Sequence, residues 1–522
     1  MTANANNNKK DPDALYQGAS HERTTVPARQ SALLWIVLLA LSLLGAALLS
    51  ACGSSSGSEP TPLGGIDGGG FAKGTVRLLS SGTISVNGTS FSTGGATISV
   101  DGKPGTLADL RPGDIVTVAG TFGGGTGAAT AVTFEDDVEG PVQAKNLARG
   151  TIEVLGQTVH VDGGTSFDEG TADCSLAALN TGTVIEVSGL RTANANLRAT
   201  SIRCRAATSE LEVTGAVRAH SANQRRFRIG GLTVDYSQAQ LQNFPGGQPT
   251  NGQTVEARGT TLTANGSGSG NDSSTLLATR VEWRETRLPG GNGARVEVEG
   301  LVTRFASASD FDVAGQRVVA GAATRIRKCT LPLNLAPNTY VEVEGTVSGE
   351  TLEATDLECR TASTLRISAT IGSIDTAAGT VTALGVTIAI DSGTRMSDKS
   401  DARVSPLRLA DLRVGDFIEV RGGPGATASS LVAAVFERDD PRTTAELRGT
   451  ASAVAAPTLA VLGVPVTTNS ATGFADEGDA DITVAAFFAA AAGRPVKIRG
   501  TALNSGVLAD EAELEEDVGA QD

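Results

Sequence analysis

A short alternating pattern recurs six times along the chain. Each copy places apolar residues at alternate positions over four residues and then ends in glycine. The six copies end at Gly120, Gly189, Gly259, Gly345, Gly422 and Gly500, so that successive glycines lie 69 to 86 residues apart. Alternation with a period of two predicts a β-strand that has one buried face. The recurrence therefore predicts about six tandem repeats of a small all-β domain.

Each copy is accompanied by further strand patterns in a fixed order. An opening strand such as 138–140 precedes a second alternating strand such as 156–161. A leucine-rich turn such as 409–416 and a closing strand such as 352–357 complete the unit. The order strand, strand, strand, short helix or turn, strand, strand favours a five-stranded Greek-key barrel of the OB type, and a two-sheet sandwich is the alternative.

The boundaries follow from these patterns. Residues 1–51 are predicted to be a lipoprotein signal peptide with a long polar lead, and residues 52–72 a flexible Gly/Ser tether. Six β repeats, numbered 1 to 6 below, are predicted at 73–136, 138–207, 210–286, 295–362, 364–439 and 444–516. Residues 517–522 are predicted to form a tail.

The repeats resemble the bacterial domain-of-unknown-function family 5666. The resemblance rests on the Leu-x-x-Gly-Asp-x-(Val/Ile)-x-Val-x-Gly strand and on the Leu-x-Ala-Thr-x-(Val/Ile) closing strand. It covers nearly all of the chain after the tether. Because the family carries no established activity, the resemblance implies an architecture and no mechanism.

The segment before the repeats indicates export. Residues 32–51 are apolar and uncharged, and they end in Leu49-Ser50-Ala51-Cys52. This ending resembles the lipobox of bacterial lipoproteins, in which the signal is removed and Cys52 is lipidated. Gly53 follows where an aspartate would retain the protein in the inner membrane, so we expect an outer-membrane lipoprotein. The alternative is an uncleaved anchor, since about 20 apolar residues can span a bilayer. The long lead also suggests the hypothesis that translation starts at Val26.

The other four cysteines form two pairs with the same spacing. Cys174 and Cys204 are 30 positions apart, as are Cys329 and Cys359, and both pairs occupy the same place in repeats 2 and 4. In an OB barrel the third and fifth strands are neighbours, so we predict two disulfides inside the repeats. The alternatives are free buried thiols or a metal site, although two thiols alone cannot complete a zinc shell.

Charge and composition exclude one class of ligand. The chain carries a net charge of −15, and aromatic residues make up only 4% of it. Single-stranded nucleic acid is bound by basic grooves and stacking aromatic side chains, so we expect no nucleic-acid partner.

No residue pattern in the sequence predicts a catalytic group, a metal site or a cofactor. His160 is expected on a polar strand face and His220 in a polar turn. Repeated carboxylates such as those in 341–344 are expected to lie on solvated strand faces. The acidic segments around Asp162, Asp168, Glu169 and Asp173 and at 476–481 do not match the Asp-x-Asp-x-Asp-Gly calcium loop, so they are interpreted as solvated loops.

Three functions follow from these observations. We expect first a non-catalytic cell-envelope lipoprotein, a tethered array of β-domains that binds or spaces an envelope protein or glycan. The second is a saccharide- or peptidoglycan-binding module in repeat 3, and the third and most remote is a hydrolase. The candidate ligand-binding residues of the second hypothesis are the aromatic and basic side chains Trp283, Tyr236, Arg226 and Arg228.

Overall fold

The structure is a computed structural model. It describes residues 68–515 with gaps at 81, 124, 148, 169–173, 206–209, 265–273, 286–290, 330, 361–363, 392, 479 and 505. The predicted signal peptide, residues 52–67 of the predicted tether, which include Cys52, and the tail lie outside the described residues. Residues 68–72, which are also predicted to belong to the flexible tether, instead form the start of the first strand, Gly68–Ser80. Among the residues that are described, no helix is long and apolar enough to cross a membrane.

The described chain is almost entirely β-structure, as the alternating pattern predicts. Repeat 1 contains β1 (Gly68–Ser80), β2 (Thr83–Val86), β3 (Thr89–Ser92), β4 (Thr97–Val100), β5 (Lys103–Pro104), β6 (Ile115–Gly123) and β7 (Thr126–Phe134). Repeat 2 contains β8 (Val138–Asn146), β9 (Thr151–Val154), β10 (Gln157–His160), β11 (Ser166–Asp168), β12 (Val184–Arg191) and β13 (Leu197–Cys204). Repeat 3 contains β14 (Leu211–Ala216), β15 (Arg218–Ser221), β16 (Arg226–Ile229), β17 (Leu232–Asp235), β18 (Gln240–Gln242), β19 (Thr254–Ala264) and β20 (Ser274–Trp283).

The second half continues in the same way. Repeat 4 contains β21 (Arg295–Ser307), β22 (Asp310–Val313), β23 (Gln316–Arg327), β24 (Tyr340–Ser348) and β25 (Thr351–Cys359). Repeat 5 contains β26 (Leu365–Asp375), β27 (Thr380–Ala383), β28 (Val386–Ala389), β29 (Arg395–Asp398), β30 (Phe417–Pro424) and β31 (Ser430–Asp439). Repeat 6 contains β32 (Thr444–Ala455), β33 (Thr458–Val461), β34 (Val464–Thr467), β35 (Gly473–Ala475), the helix α1 (Val484–Ala490), β36 (Pro495–Leu503) and β37 (Gly506–Leu514). The leucine-rich turns of repeats 1 and 5 are short 3-10 helices at Leu107–Asp109 and Leu409–Asp411.

One order of strand pairing recurs, and repeat 2 illustrates it. Strand β8 pairs with β9, and β9 with β10, in antiparallel fashion. Strand β10 then pairs in parallel with β13, which pairs with β12, and β12 returns to β8. Repeats 1, 4, 5 and 6 have the same pairings. In repeat 3 the first strand is split into β14, which pairs with β19, and β15, which pairs with β16.

The repeats are not separate domains, and here the expectation of six independent small barrels needs correction. Strands β8 and β14 pair directly, as do β26 and β32, so repeats 2 and 3 share one sheet and repeats 5 and 6 share another. Repeat 1 pairs with repeat 4 through the parallel strands β1 and β21. Unpaired backbone groups on an opening strand are satisfied by an equivalent strand of another repeat, which yields three sheets.

Two of the three pairs of repeats that share a sheet also share a hydrophobic core. Repeats 2 and 3 share one buried apolar cluster, in which Val138 and Val213 are cross-strand neighbours. Repeats 5 and 6 share a second cluster, where Ile367 and Leu447 occupy the equivalent position. Repeats 1 and 4 each have a cluster of their own. Full burial of such a side chain contributes about 1.5–3 kcal/mol.

Both predicted disulfides are confirmed. Cys174 is bonded to Cys204 and Cys329 to Cys359. Cys204 and Cys359 end β13 and β25, and these strands pair in parallel with β11 and β23, which precede the partner cysteines. Closing a loop of this length stabilises a domain by about 3–4 kcal/mol in the chain-entropy model.

The glycine that ends each alternating strand has a steric role. All six of these glycines lie at a shift in the register between the fourth and fifth main strands of a repeat. At Gly345 a Cβ atom would lie 2.2 Å from the backbone oxygen of Glu353, and the other five positions are similarly close to a carbonyl. The bulge therefore brings two backbones together where only glycine fits.

We predict that Gly345→Ala lowers the free energy of unfolding by about 2–3 kcal/mol, because a methyl group would force the two strands apart. Gly321→Ala in the same repeat is the matched control, since a Cβ at Gly321 meets no atom within 4 Å. Urea unfolding followed by circular dichroism measures both variants. Equal stability of the two variants would contradict the steric role of Gly345.

Candidate functional site

The first four repeats meet around residues 135–137, which connect β7 of repeat 1 to β8 of repeat 2 and are called the link below. The backbone N–H of Asp137 donates to the Val187 carbonyl at 2.9 Å, and the Asp137 carbonyl accepts from the N–H of Thr214 at 2.9 Å. The Asp137 carboxylate also accepts from the N–H of Gly189 at 2.9 Å. Hydrogen bonds to repeats 2 and 3 thus fix the path of this link.

A cleft of about 180 Å³ opens beside the link. Repeats 1 to 4 all contribute to its walls, and its charged lining residues are Lys73, Glu135, Asp136, Asp137, Arg191 and Glu299. A cleft of this size admits several water molecules or a small ion with its hydration shell, but it is smaller than the usual site for an organic ligand.

Three carboxylates converge next to this cleft, and we call them the acidic cluster: Asp136, Glu139 and Glu186. One oxygen atom of each lies within 4.8 Å of the others. Asp136 is only 2% exposed, and neither of its carboxylate oxygens has a hydrogen-bond partner among the described residues. Glu186 is 2% exposed and accepts from Arg203 Nη1 at 3.0 Å and Arg205 Nε at 2.8 Å.

The surroundings of the acidic cluster penalise negative charge. Burial raises the pKa of Asp136 well above its usual range, and the carboxylates of Glu212, Asp101, Glu186 and Glu139 raise it further. Burial, followed by the charge of Glu256, raises the pKa of Glu212 to about 9 even though Arg258 opposes the shift. Carboxyl groups in such a setting are stabilised by a bound cation, whether a proton or a metal ion.

A second buried network joins repeat 1 to repeat 4. Arg77 forms an ion pair with Glu299, whose other oxygen accepts from the backbone N–H of Thr75 at 2.8 Å. Tyr340 also donates to Glu299. Burial alone would raise the pKa of Glu299, but Arg77 and Arg360 together with these hydrogen bonds outweigh it and lower the pKa to about 2.

The expectation that repeated strand carboxylates are solvated is wrong for several of them. Glu186, Glu256, Glu299 and Glu342 are at most 2% exposed. The polar strand face that carries them packs against other repeats, so each of these carboxylates needs a buried partner. Glu342 has one in Arg360, with which it forms an ion pair.

The structure does not assemble the four ligand-binding residues proposed for repeat 3. Tyr236 is 3% exposed and belongs to the hydrophobic core, where its hydroxyl lies 2.7 Å from Nε2 of His220. Asp235 of β17 pairs with Leu277 of β20, and Trp283 lies six residues farther along that strand, a separation of about 20 Å. No aromatic platform therefore forms from Trp283 and Tyr236.

The two arginines of that proposal lie on β16. Arg226 is exposed and forms an ion pair with Asp235 at 2.8 Å, and Arg228 is half-buried opposite Thr233. Neither side chain belongs to the acidic cluster or the cleft.

The remaining residues considered from the sequence have local roles. His160 is half-buried and 3.4 Å from the Asn196 amide, and burial lowers its pKa. Asp162 forms an ion pair with Arg198, and Asp476 accepts from the backbone N–H groups of Gly478 and Ala480. The side chain of Asp168 and all of Glu169 and Asp173 lie outside the described residues.

The comparison with known families agrees with the repeat pattern. The family described as a domain of unknown function, DUF5666, matches residues 73–133, 139–203, 299–358, 368–434 and 448–513. Repeat 3 falls between the second and third matches, and its strands follow the common pairing order with a split first strand. No curated protein matches the chain.

We predict that Glu299→Gln lowers the free energy of unfolding at pH 7 by about 3–5 kcal/mol, because Arg77 would lose its buried counter-charge. The folded-state pKa of Glu299 lies below its ordinary value of 4.5. Its stabilising contribution is therefore complete above about pH 5 and is lost as the pH falls towards 2.

The measurement is urea unfolding between pH 7 and pH 2 for the wild type and the variant. The variant's stability should fall less steeply with decreasing pH than the wild type's. Glu353→Gln, at an exposed position of β25 in the same repeat, serves as the matched control and should leave the slope unchanged. Parallel curves for wild type and Glu299→Gln would contradict the prediction.

Proposed function

Since the chain belongs to the DUF5666 family, whose function is unknown, we propose from its own features that it is a non-catalytic cell-envelope lipoprotein. Its six repeats would act as one interlocked body in binding or spacing, held at a membrane by the lipid on Cys52. The observation that carries this proposal is the use of the repeats' polar strand faces in contacts with one another.

Ion pairs and hydrogen bonds between repeats engage side chains that a catalytic cleft would need free. Arg203 of repeat 2 bonds Asp114 of repeat 1, and Ser201 donates to the same carboxylate at 2.8 Å. Arg421 of repeat 5 donates to the Thr165 carbonyl of repeat 2 at 2.6 Å. These contacts support a scaffold in which carboxylate–arginine chemistry serves assembly.

The proposed localisation to the cell envelope rests on the sequence. The apolar stretch before Leu49-Ser50-Ala51-Cys52 supports lipidation, and Gly53 supports an outer-membrane location, on the periplasmic face or at the cell surface. A Gly/Ser-rich tether of about 20 residues has an expected reach of roughly 25 Å, which would hold the repeats clear of the lipid head groups.

We also infer that each repeat is a five-stranded barrel of the OB type. Support comes from the pairing order, in which the fifth strand is parallel to the third and the fourth returns to the first. The barrels would be fused in pairs through their first strands. This fusion changes the expected result of removing a repeat, because the sheet partner would lose its neighbour too.

The proposal predicts a specific envelope partner. The tagged full chain, cross-linked in intact cells, purified in detergent and examined by mass spectrometry, should retain one recurring envelope protein or glycan. Cys52→Ser, the matched control, should lose lipid labelling, leave the membrane fraction and lose that partner. A retained glycan that is cleaved on incubation would contradict a non-catalytic role, and an intact retained glycan would favour the saccharide-binding alternative.

A further inference from the structure

The acidic cluster differs from the other buried junctions in its balance of charge. At the junction of repeats 1 and 4 Glu299 is met by Arg77, and inside repeat 4 Glu342 is met by Arg360. Asp136 has no such partner among the described residues, although it is 2% exposed. A buried carboxylate that has no ion pair and no N–H or hydroxyl donor costs several kcal/mol, so a bound cation must compensate for it.

The nearby arginines do not fill this role. Arg203 and Arg205 both bind Glu186, and Arg203 is also held by Asp114 of repeat 1. Arg258 is occupied by Glu256 and Glu212. No hydrogen bond joins any of these guanidinium groups to Asp136, although Arg258 attracts its carboxylate from a distance. The Asp136 carboxylate instead faces those of Glu212, Glu139 and Glu186, so any contact with Glu212 closer than van der Waals distance needs a cation, either a proton or a metal ion, between the two carboxylates.

The donor chemistry identifies the class of ion. The acidic cluster offers oxygen atoms only, which hard divalent cations prefer and which do not suit soft metals. Both Asp136 oxygens are without a hydrogen bond among the described residues, whereas both Glu186 oxygens already accept from arginines and would have to share a lone pair with the ion. Asp136 also lines the cleft, from which water molecules would complete a shell of six to eight oxygens. Ca²⁺ tolerates the irregular geometry that such a junction imposes better than Mg²⁺ does.

We propose that Asp136, Glu139 and Glu186 form a calcium-class cation site between the repeat 1–2 link and the junction of repeats 2 and 3. Asp136 belongs to the link, Glu139 to β8 and Glu186 to β12. Strand β8 also pairs Glu139 with Glu212 of repeat 3. The bound ion would therefore fasten the link onto the shared sheet of repeats 2 and 3. This proposal does not depend on the envelope partner.

The test uses the full chain purified in detergent and freed of metal by chelation. Equilibrium dialysis against ⁴⁵Ca²⁺ should find one ion per chain in the wild type. Near-saturating Ca²⁺ should raise the melting temperature by about 2–4 °C. Asp136→Asn should weaken binding at least tenfold and abolish the thermal shift, and Asp310→Asn at the start of β22 should behave like the wild type.

The folding of Asp136→Asn is checked in the chelated state, where loss of carboxylate repulsion should leave its melting temperature equal to or above that of the wild type. If this variant fails to fold, Glu139→Gln replaces it with the same expected loss of binding. Absence of Ca²⁺ binding by the folded wild type at millimolar concentration would overturn the proposal and indicate a proton shared between Asp136 and Glu212. Unchanged binding by both variants would overturn it as well.

Discussion

Charged strand faces that are buried between repeats impose the main constraint on this protein. The repeats share one order of strand pairing and an apolar inner face, and the outer faces of repeats 2 to 6 carry arginine and glutamate residues. Where two repeats meet, those side chains leave water together, so each must find an opposite charge or a hydrogen bond at the junction. Glu299 with Arg77, and Asp114 with Arg203, show how the contacts between repeats satisfy this requirement.

The pairing of repeat 1 with repeat 4 distinguishes the molecule from a linear array. In a solenoid each repeat contacts its neighbours in the chain, and stability is nearly a sum of local terms. Here β1 pairs with β21, more than 200 residues later, so the ends of a long chain segment are brought together. Repeats 2 and 3 lie within that segment, and Arg203 of repeat 2 forms an ion pair with Asp114 of repeat 1. We therefore expect the first four repeats to behave cooperatively.

The sequence predicts what each repeat does internally and fails where repeats meet. Period-two alternation, the terminal glycines and the equal cysteine spacing are local signals, and the strands, bulges and disulfides follow from them. Glu186 and Glu342 alternate as solvated residues would, because a polar face packed on another polar face has the same pattern as one exposed to water. The sequence predicts a ligand surface at Tyr236 for the converse reason, since nothing in the local sequence reveals that its ring packs in the core shared by repeats 2 and 3. Asp136 lies in a link that has no alternating pattern, so nothing in the sequence indicates that its carboxylate is buried.

Apolar packing and ion pairs thus have different roles in the assembly of the repeats. The apolar clusters supply most of the stabilisation, but valine and isoleucine faces are nearly interchangeable among six related repeats and cannot specify which repeats should pair. Ion pairs can, because a junction that leaves a charge unmatched costs several kcal/mol. Arg77 of β1 matches Glu299 of repeat 4, whereas the link that precedes the opening strand of repeat 2 carries the carboxylates Asp136 and Asp137. Differences in charge between otherwise similar strands therefore determine which repeats pair. At the acidic cluster the negative charges are not matched by arginines alone, and a bound cation would balance them.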